Sequence, residues 1–139
     1  MILHDEATEE QIVEFEKTFG IAIPTAYREF LKFTNGAELR EAVVEFFGVD
    51  KNEQKNYTMY TINDAEKIDN ISGAVAKNLL IIGEDIASDL ICINIDTGEI
   101  IGWDYRDIGD EEYFLNTDFY TYIEEDLIGY MNDKEDDNG

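Results

Sequence analysis

Residues with reactive side chains are few in this sequence. It contains a single histidine, His4, and a single cysteine, Cys92. A catalytic Cys–His pair needs an accessible thiolate, whereas Cys92 lies in the apolar run LICINI, which predicts a buried thiol. One cysteine and one histidine cannot complete a tetrahedral zinc site without carboxylates, and the sequence has no phosphate-binding glycine loop or nucleophile elbow. It therefore predicts no catalytic constellation, no metal site and no cofactor.

Carboxylates are the one chemically active group present in large number, and two clusters of them lie beside strand-like segments. The clusters are Glu84, Asp85 and Asp89 before the run LICINI, and Asp104, Asp107, Asp110, Glu111 and Glu112 after Trp103. Several carboxylate oxygens suit Ca²⁺, but neither segment spaces its acids and glycine as an EF-hand loop does. With 33 acidic residues in the chain, solvated loops explain the clusters more simply than a metal site.

The charge balance restricts the class of partner. The 33 acidic residues outnumber 10 basic residues and give a net charge of -23. Phosphate backbones and anionic membrane surfaces would be repelled, so neither nucleic acid nor membrane is an expected partner. A basic protein would be attracted, and its association rate could rise by roughly 10- to 1000-fold. The charge has a second interpretation, that excess acid only keeps the protein soluble.

Four aromatic side chains lie in strand-like segments: Tyr57, Tyr60, Trp103 and Tyr105. Because alternate residues of a strand face opposite sides, some of them could form an exposed patch. Tyr and Trp surrounded by acids would suit protein binding. Packing in the core or between strands is the simpler interpretation.

Two helices joined by a tight turn are predicted near the start of the chain. Thr8 and Gln11 have the capping-box spacing, and Gly20 is placed to end the first helix in a left-handed conformation. Pro24 suits the start of the second helix, and Asn35-Gly36 suits a left-handed stop.

The remaining pattern predicts a sheet and a final helix. Runs rich in β-branched and aromatic residues occur at 42–49, 57–62, 79–83, 89–95 and 99–105, with a short helix at 63–71 and a helix at 116–131. Asp96-Thr97-Gly98 has the composition of a hairpin turn. The order predicts an α+β fold: two N-terminal helices, a central antiparallel or mixed sheet of about five or six strands, and a C-terminal helix packed on one face.

The predicted organisation is a single domain over residues 1–131 followed by an acidic tail at 132–139 without regular structure. No apolar run is long enough to span a bilayer, and no basic segment precedes an apolar one at the start. The expected location is the cytoplasm.

The segment IVEFEKTFGIAIPTAYREFLKFTNGAE combines a helix, a Gly-hydrophobic-x-hydrophobic-Pro turn, Tyr-x-x-Phe-Leu and a closing Asn-Gly. The positions that carry this pattern are Phe15, Phe19, Gly20, Ile21, Ile23, Pro24, Tyr27, Phe30, Leu31, Asn35 and Gly36. It resembles the N-terminal signature of the SMI1/KNR4 family, also called the SUKH superfamily. The segment LLIIGEDIASDLICINIDTGEIIGWDYRD looks like the central strands of that family, although EDIASD stands where many members have a glycine-rich loop.

The resemblance implies an α+β binding scaffold without enzyme activity. Many bacterial members look like immunity proteins that bind and block a toxin, and fungal members are linked to cell-wall synthesis and signalling. Together with the net charge, the resemblance predicts a basic protein toxin as partner. A nuclease is the expected class of toxin, because an acidic protein would cover its basic cleft. A regulatory or scaffolding module is the alternative, and the oligomeric state is left open. The predicted contacts are Glu84, Asp85, Asp89, Trp103, Asp104, Asp107 and Asp110.

Overall fold

The structure is a computed structural model of the 139-residue chain. It describes residues 2–39, 42–51, 58–63, 78–85, 87, 89–104 and 111–128. The helices are α1 (Glu9–Phe19), α2 (Thr25–Phe33), α3 (Met59–Ile62) and α4 (Phe119–Thr121), and α4 continues in π-helical turns over Tyr122–Ile128. The strands are β1 (Ile2–Leu3), β2 (Ala37–Leu39), β3 (Val44–Phe46), β4 (Leu79–Glu84), β5 (Leu90–Asn94), β6 (Ile100–Asp104) and β7 (Glu111–Asn116).

Within these residues the strands form one seven-stranded sheet. They follow the chain order from β1 to β7, and every neighbouring pair is antiparallel. The predicted α+β class with an antiparallel sheet is therefore confirmed. Strands β1, β2 and β7 were not predicted. The first two contain two and three residues, too few to show the alternation by which strands are recognised.

The predicted hairpin of α1 and α2 is confirmed. The Thr8 hydroxyl accepts a hydrogen bond from the Gln11 N–H at 3.1 Å, and the Gln11 side chain accepts one from the Thr8 N–H at 2.8 Å. Gly20 is left-handed, with φ 68°, and Pro24 is the N-cap of α2. These features depend only on neighbouring residues, which is why the sequence predicts them well.

Tyr27 fixes α2 to the sheet. Its side chain is completely buried, and its hydroxyl donates a hydrogen bond to the backbone oxygen of Phe47, with the oxygen of Ile82 3.2 Å away. The Phe47 N–H in turn donates to the Ile82 oxygen at 2.7 Å. The hydroxyl therefore lies where the segment after β3 pairs with β4, and burial raises its pKa.

The C-terminal helix packs on the same face of the sheet as α2. The rings of Phe30 on α2, Phe46 on β3 and Phe119 on α4 lie edge-to-face, with centroids 5.2 to 5.6 Å apart. Asp118 caps α4 by accepting a hydrogen bond from the Thr121 N–H at 2.8 Å. The predicted C-terminal helix on one face is confirmed.

The strand β5 is buried throughout from Leu90 to Ile93, as its unbroken apolar pattern predicts for a strand covered on both faces. Its Cys92 is buried, and burial together with the charge of Glu112 raises the pKa of the thiol.

The predicted turn at 96–98 is confirmed: Gly98 has φ 80°, and the Asn94 N–H donates to the Glu99 oxygen at 2.8 Å.

Asn35-Gly36 does not end α2 as a left-handed stop, which corrects the prediction. The helix ends at Thr34 in an extended conformation, with φ -151°. The side-chain oxygen of Asn35 instead accepts a hydrogen bond from the Val49 N–H at 2.8 Å. Gly36 has φ 94°, and a Cβ there would lie 2.9 Å from the Phe46 oxygen. The pair thus fits the chain closely against the end of β3.

The prediction of a strand at 57–62 is wrong for the residues that the structure describes, because Met59–Ile62 forms the single helical turn α3. Thr58 and Thr61 form a capping box, each side chain accepting a hydrogen bond from the backbone N–H of the other. The two threonines close a turn here although the composition favours a strand.

Several predictions fall outside the described residues. They are Tyr57, Tyr105, the predicted helix beyond Asn63, the domain boundary at 131 and the tail at 132–139.

Candidate functional site

Four of the predicted contact residues lie at one end of the sheet. Glu84 ends β4 and Asp104 ends β6, and these two strands run in the same direction because both are antiparallel to β5. Asp85 and Asp89 belong to the turn that joins β4 to β5. All four side chains are partly exposed. Asp107 and Asp110 lie outside the described residues, so the structure does not place them.

Asp85 organises the turn between β4 and β5. One of its carboxylate oxygens accepts hydrogen bonds from the N–H groups of Ala87 at 2.9 Å and Asp89 at 3.0 Å. The Asp85 N–H donates to the Asp89 backbone oxygen at 3.0 Å. An aspartate in a turn commonly binds the backbone ahead of it in this way. Asp85 is therefore a structural residue of the turn as well as a surface charge.

Tyr113 ties this turn to strand β7. Its hydroxyl donates a hydrogen bond to a carboxylate oxygen of Asp89 at 2.7 Å. Two effects raise the pKa of Tyr113: burial of the phenol, which is the larger, and the hydrogen bond to Asp89. The pKa of the nearby Tyr122, at the start of the π-helical turns, is raised by burial and by the charge of Asp85. Sequence reasoning missed both tyrosines, because no pattern in the sequence relates them to residues 24 or more positions away.

Trp103 is not available as a surface contact, which corrects the prediction. Its side chain is 1% exposed and is among the largest fully buried side chains of the described residues. The indole is a core group of the sheet, consistent with the simpler of the two interpretations of its sequence position.

A row of three glutamates adjoins the predicted site and was not predicted. Glu38 on β2 is directly opposite Glu45 on β3, and Glu45 is directly opposite Glu84 on β4. Directly opposite residues of antiparallel strands share a face. Phe46 faces α2, so Glu45 and its two partners point to the other face. We call Glu38, Glu45 and Glu84 the glutamate row.

The glutamate row borders a shallow groove of about 220 Å³. Its lining residues are Glu38, Leu39, Val43, Val44, Glu45, Glu84 and Asp85. Val43 is unusual, since it is half exposed and has φ 50°, a conformation that β-branched residues rarely adopt. No single stretch of sequence could have revealed the groove, because it forms only when three strands pair in register.

Two aromatic side chains are exposed on β7, close to the predicted site. Tyr113 is 37% exposed and Phe114 is 58% exposed. They are successive residues of a strand that the sequence did not predict, so they face opposite sides of the sheet.

In the part of the chain that the structure describes, no group of three or more His, Cys, Asp and Glu side chains is arranged to hold a metal ion. None of the helices in that part is both long and apolar enough to span a membrane.

Comparison with known proteins agrees with the fold and the N-terminal pattern. The chain is 26% identical, over an alignment 154 positions long, to the SPbeta prophage-derived uncharacterized protein YokK of Bacillus subtilis (strain 168), with 94% of this chain and 80% of that protein covered. A crystal structure of a protein from Pseudomonas syringae pv. tomato is similar with a TM-score of 0.58 and 21% identity, covering 81% of this chain and 77% of that one. The latter similarity concerns the fold.

The match to a family model covers most of the chain. Residues 6–125 match the model of the SMI1/KNR4 family (SUKH-1). This range includes both N-terminal helices, all strands from β2 to β7 and the start of the C-terminal helix. The chain belongs to the SMI1/KNR4 family (SUKH-1).

Proposed function

We propose that this protein is a non-enzymatic protein-binding domain that acts as an immunity protein, binding and blocking a basic bacterial toxin, with a nuclease as the favoured class. Membership of the SMI1/KNR4 family supports a protein partner. The observation that carries the proposal is the crowding of carboxylates at one end of the sheet, where the glutamate row adjoins Asp85.

Such crowding opposes folding. Like charges directly opposite each other in a sheet destabilise it by roughly 0.2–1 kcal/mol per pair, and the row contains two such pairs. The chain as a whole has 33 acidic and 10 basic residues, so acids predominate. Local features that oppose stability are expected at functional sites. A basic partner would find its complementary charge already in place there.

The proposed mechanism is occlusion without chemistry. An acidic surface accelerates the approach of a basic protein, and the bound domain then covers the cleft through which a nuclease reaches its substrate. The proposed place of action is the cytoplasm, and no cofactor is needed. Affinity is expected to fall as salt rises, because added ions screen the attraction.

The first experiment is toxin neutralisation. The product of the gene adjacent to this one is expressed with and without the protein, and growth and co-purification are scored. Growth rescue with a stable complex is the expected result. In the other outcome the product of the adjacent gene is harmless, and a cellular protein co-purifies from a strain that lacks that gene. That result would favour a regulatory or scaffolding module.

A matched pair of charge reversals tests the surface. Glu45→Lys changes the middle of the glutamate row, and Glu124→Lys makes the same change on the exposed side of the C-terminal helix. We expect Glu45→Lys to weaken toxin binding by roughly 10-fold or more, the usual size for a residue central to an interface, and Glu124→Lys to have a much smaller effect. Equal effects of the two changes would show that only total charge matters. Thermal unfolding of both variants checks that neither change has disturbed the fold.

A further inference from the structure

The face of the sheet that α2 covers carries three large apolar side chains that remain exposed. Leu3 on β1 is 45% exposed, Phe33 on α2 is 66% exposed and Tyr120 on α4 is 47% exposed. Single exposed apolar residues are normal on a protein surface, whereas several that lie together commonly mark a binding site. The positions of these three relative to one another therefore decide what they mean.

Glu29 relates Phe33 to Tyr120. The Tyr120 hydroxyl donates a hydrogen bond to a carboxylate oxygen of Glu29. Glu29 lies one helical turn before Phe33 on α2, so these two side chains share one side of that helix. Below them the rings of Phe30 and Phe119 are 5.2 Å apart and hold α4 against α2. Phe33 and Tyr120 thus border the same stretch of surface.

Leu3 reaches this surface from the edge of the sheet. Strand pairing places it in one row with Phe46 on β3, so both point toward α2. The N–H of the next residue, His4, donates a hydrogen bond to the hydroxyl of Thr34 at 2.8 Å. This bond holds the start of the chain at the end of α2, where Phe33 lies. We call Leu3, Phe33 and Tyr120 the apolar patch.

The charges beside the apolar patch favour a basic occupant. Asp5 and Glu6 follow directly after His4, and Glu29 contacts Tyr120. All three acids are exposed, and none of them has a lysine or arginine partner among the described residues. Lys32 is also near, but it is already paired with a carboxylate of α1 at 2.7 Å. Carboxylates beside apolar groups suit a segment that has both basic and apolar side chains.

We propose that the apolar patch is a docking surface for a basic segment of a partner protein. Apolar side chains of that segment pack on the patch, and its lysine or arginine side chains lie beside the three unpaired carboxylates. A second copy of this chain is a poor occupant, because two chains that each have a net charge of -23 repel each other. The glutamate row points to the other face of the sheet, so this inference does not depend on the proposed function.

The test titrates the full chain at low salt with the capped peptide Lys-Leu-Lys-Phe-Leu-Lys, followed by NMR. We expect shifts of the signals of Leu3, Phe33 and Tyr120. Two control peptides separate charge from apolar contact: one has Glu in place of each Lys, and the other has Ser in place of Leu and Phe. Both should leave the signals of the apolar patch unchanged. The affinity of the first peptide should fall as salt rises.

A pair of matched variants locates the site. Phe33→Ser removes the most exposed ring of the apolar patch. Phe114→Ser makes the same change at an exposed side chain of β7 that points to the other face of the sheet. We expect Phe33→Ser to weaken peptide binding by roughly 10-fold or more and Phe114→Ser to leave it nearly unchanged. Thermal unfolding of both variants checks that each is folded.

Three results would overturn the proposal: no binding of the basic peptide, shifts confined to another surface such as the glutamate row, or equal weakening by both variants. Concentration-dependent dimerisation at high salt that Phe33→Ser abolishes would also overturn it, because the occupant would then be a second copy. The titration uses no toxin, so its outcome is independent of the neutralisation experiment that tests the proposed function.

Discussion

The ring of Tyr113 on β7 lies directly across the backbone of Gly102 on β6. The two residues are partners in the sheet, and a Cβ at position 102 would lie 2.7 Å from the phenol oxygen and closer still to the ring carbons. Glycine at this position leaves room for the ring, whose hydroxyl donates a hydrogen bond to Asp89. The absence of a side chain at Gly102 thus allows Tyr113 to connect β7 to the turn between β4 and β5.

Gly102→Ala is expected to displace the Tyr113 ring and to lower the free energy of unfolding by about 1–3 kcal/mol, as overpacking commonly does. Chemical denaturation measures the loss. In the double variant Gly102→Ala/Tyr113→Ala the clash is absent, so the alanine at 102 should cost much less there. Additive losses would show that the ring does not press on position 102.

Tyr113→Phe keeps the ring and removes the hydrogen bond to Asp89. We expect a loss of about 1 kcal/mol in unfolding free energy and faster hydrogen exchange at the amides of Ala87 and Asp89, because the turn is less restrained. Tyr120→Phe is the matched control, since it removes a similar bond to Glu29, between α4 and α2. If exchange in the turn responded equally to both changes, the Tyr113 hydroxyl would not be what restrains it.

Asn63→Ala is expected to destabilise the fold by about 2 kcal/mol or more. The Asn63 amide donates to the Ile81 oxygen at 2.9 Å and accepts from the Ile81 N–H at 3.0 Å. Both groups of Ile81 are buried beside an irregularity in β4, and leaving a buried polar group unsatisfied costs roughly 1–3 kcal/mol.

The control for this change is Asn116→Ala, which removes an exposed amide contact with Asp126. We expect it to cost under about 1 kcal/mol in thermal or chemical unfolding. Comparable losses for the two variants would contradict the structural role of Asn63.

Glu9 makes stability depend on acid pH. Hydrogen bonds from Arg28 and Lys32, at 2.9 and 2.7 Å, lower the pKa of its carboxylate from 4.5 to about 2. A pKa that is lower in the folded state contributes stability that is complete above the unfolded pKa and is lost as pH falls through the folded one. The contribution of Glu9 should therefore be present above about pH 4.5 and disappear toward pH 2.

The measurement compares the unfolding free energies of the wild type and Glu9→Gln between pH 7 and pH 2. We expect the variant to be less stable at neutral pH and the difference to shrink below about pH 4.5. Glu10→Gln, the same change at the adjacent exposed residue, controls for overall charge. A difference that stays constant with pH would contradict the pairing of Glu9.

Monovalent salt is expected to stabilise the protein. At a net charge of -23, self-repulsion opposes the compact state, and the screening length falls from about 30 Å at 0.01 M to about 3 Å at 1 M. The melting temperature should rise by a few degrees, about 4 °C per kcal/mol for a domain of this size. NaCl and KCl should act equally, and an unchanged melting temperature in both would refute the effect.

Local sequence features predicted much of the fold. The capping box of Thr8 and Gln11, the left-handed Gly20 and the turn at 96–98 follow from residues close together in the chain. The burial of Cys92 follows from an apolar run with no polar alternation. These features need no knowledge of distant partners, so the sequence by itself determined them.

Tertiary structure decided the surface. Glu38, Glu45 and Glu84 form a row only because three strands pair in one register, and a slip of one residue would turn a whole strand over. On β6 and β7, which pair elsewhere in the sheet, Trp103 is buried and Phe114 is exposed. Asn35 bonds to Val49 and does not cap its own helix, since its partner lies in the segment that follows β3. Sequence patterns report what each segment prefers, whereas a site made by strand register depends on contacts between segments far apart in the chain.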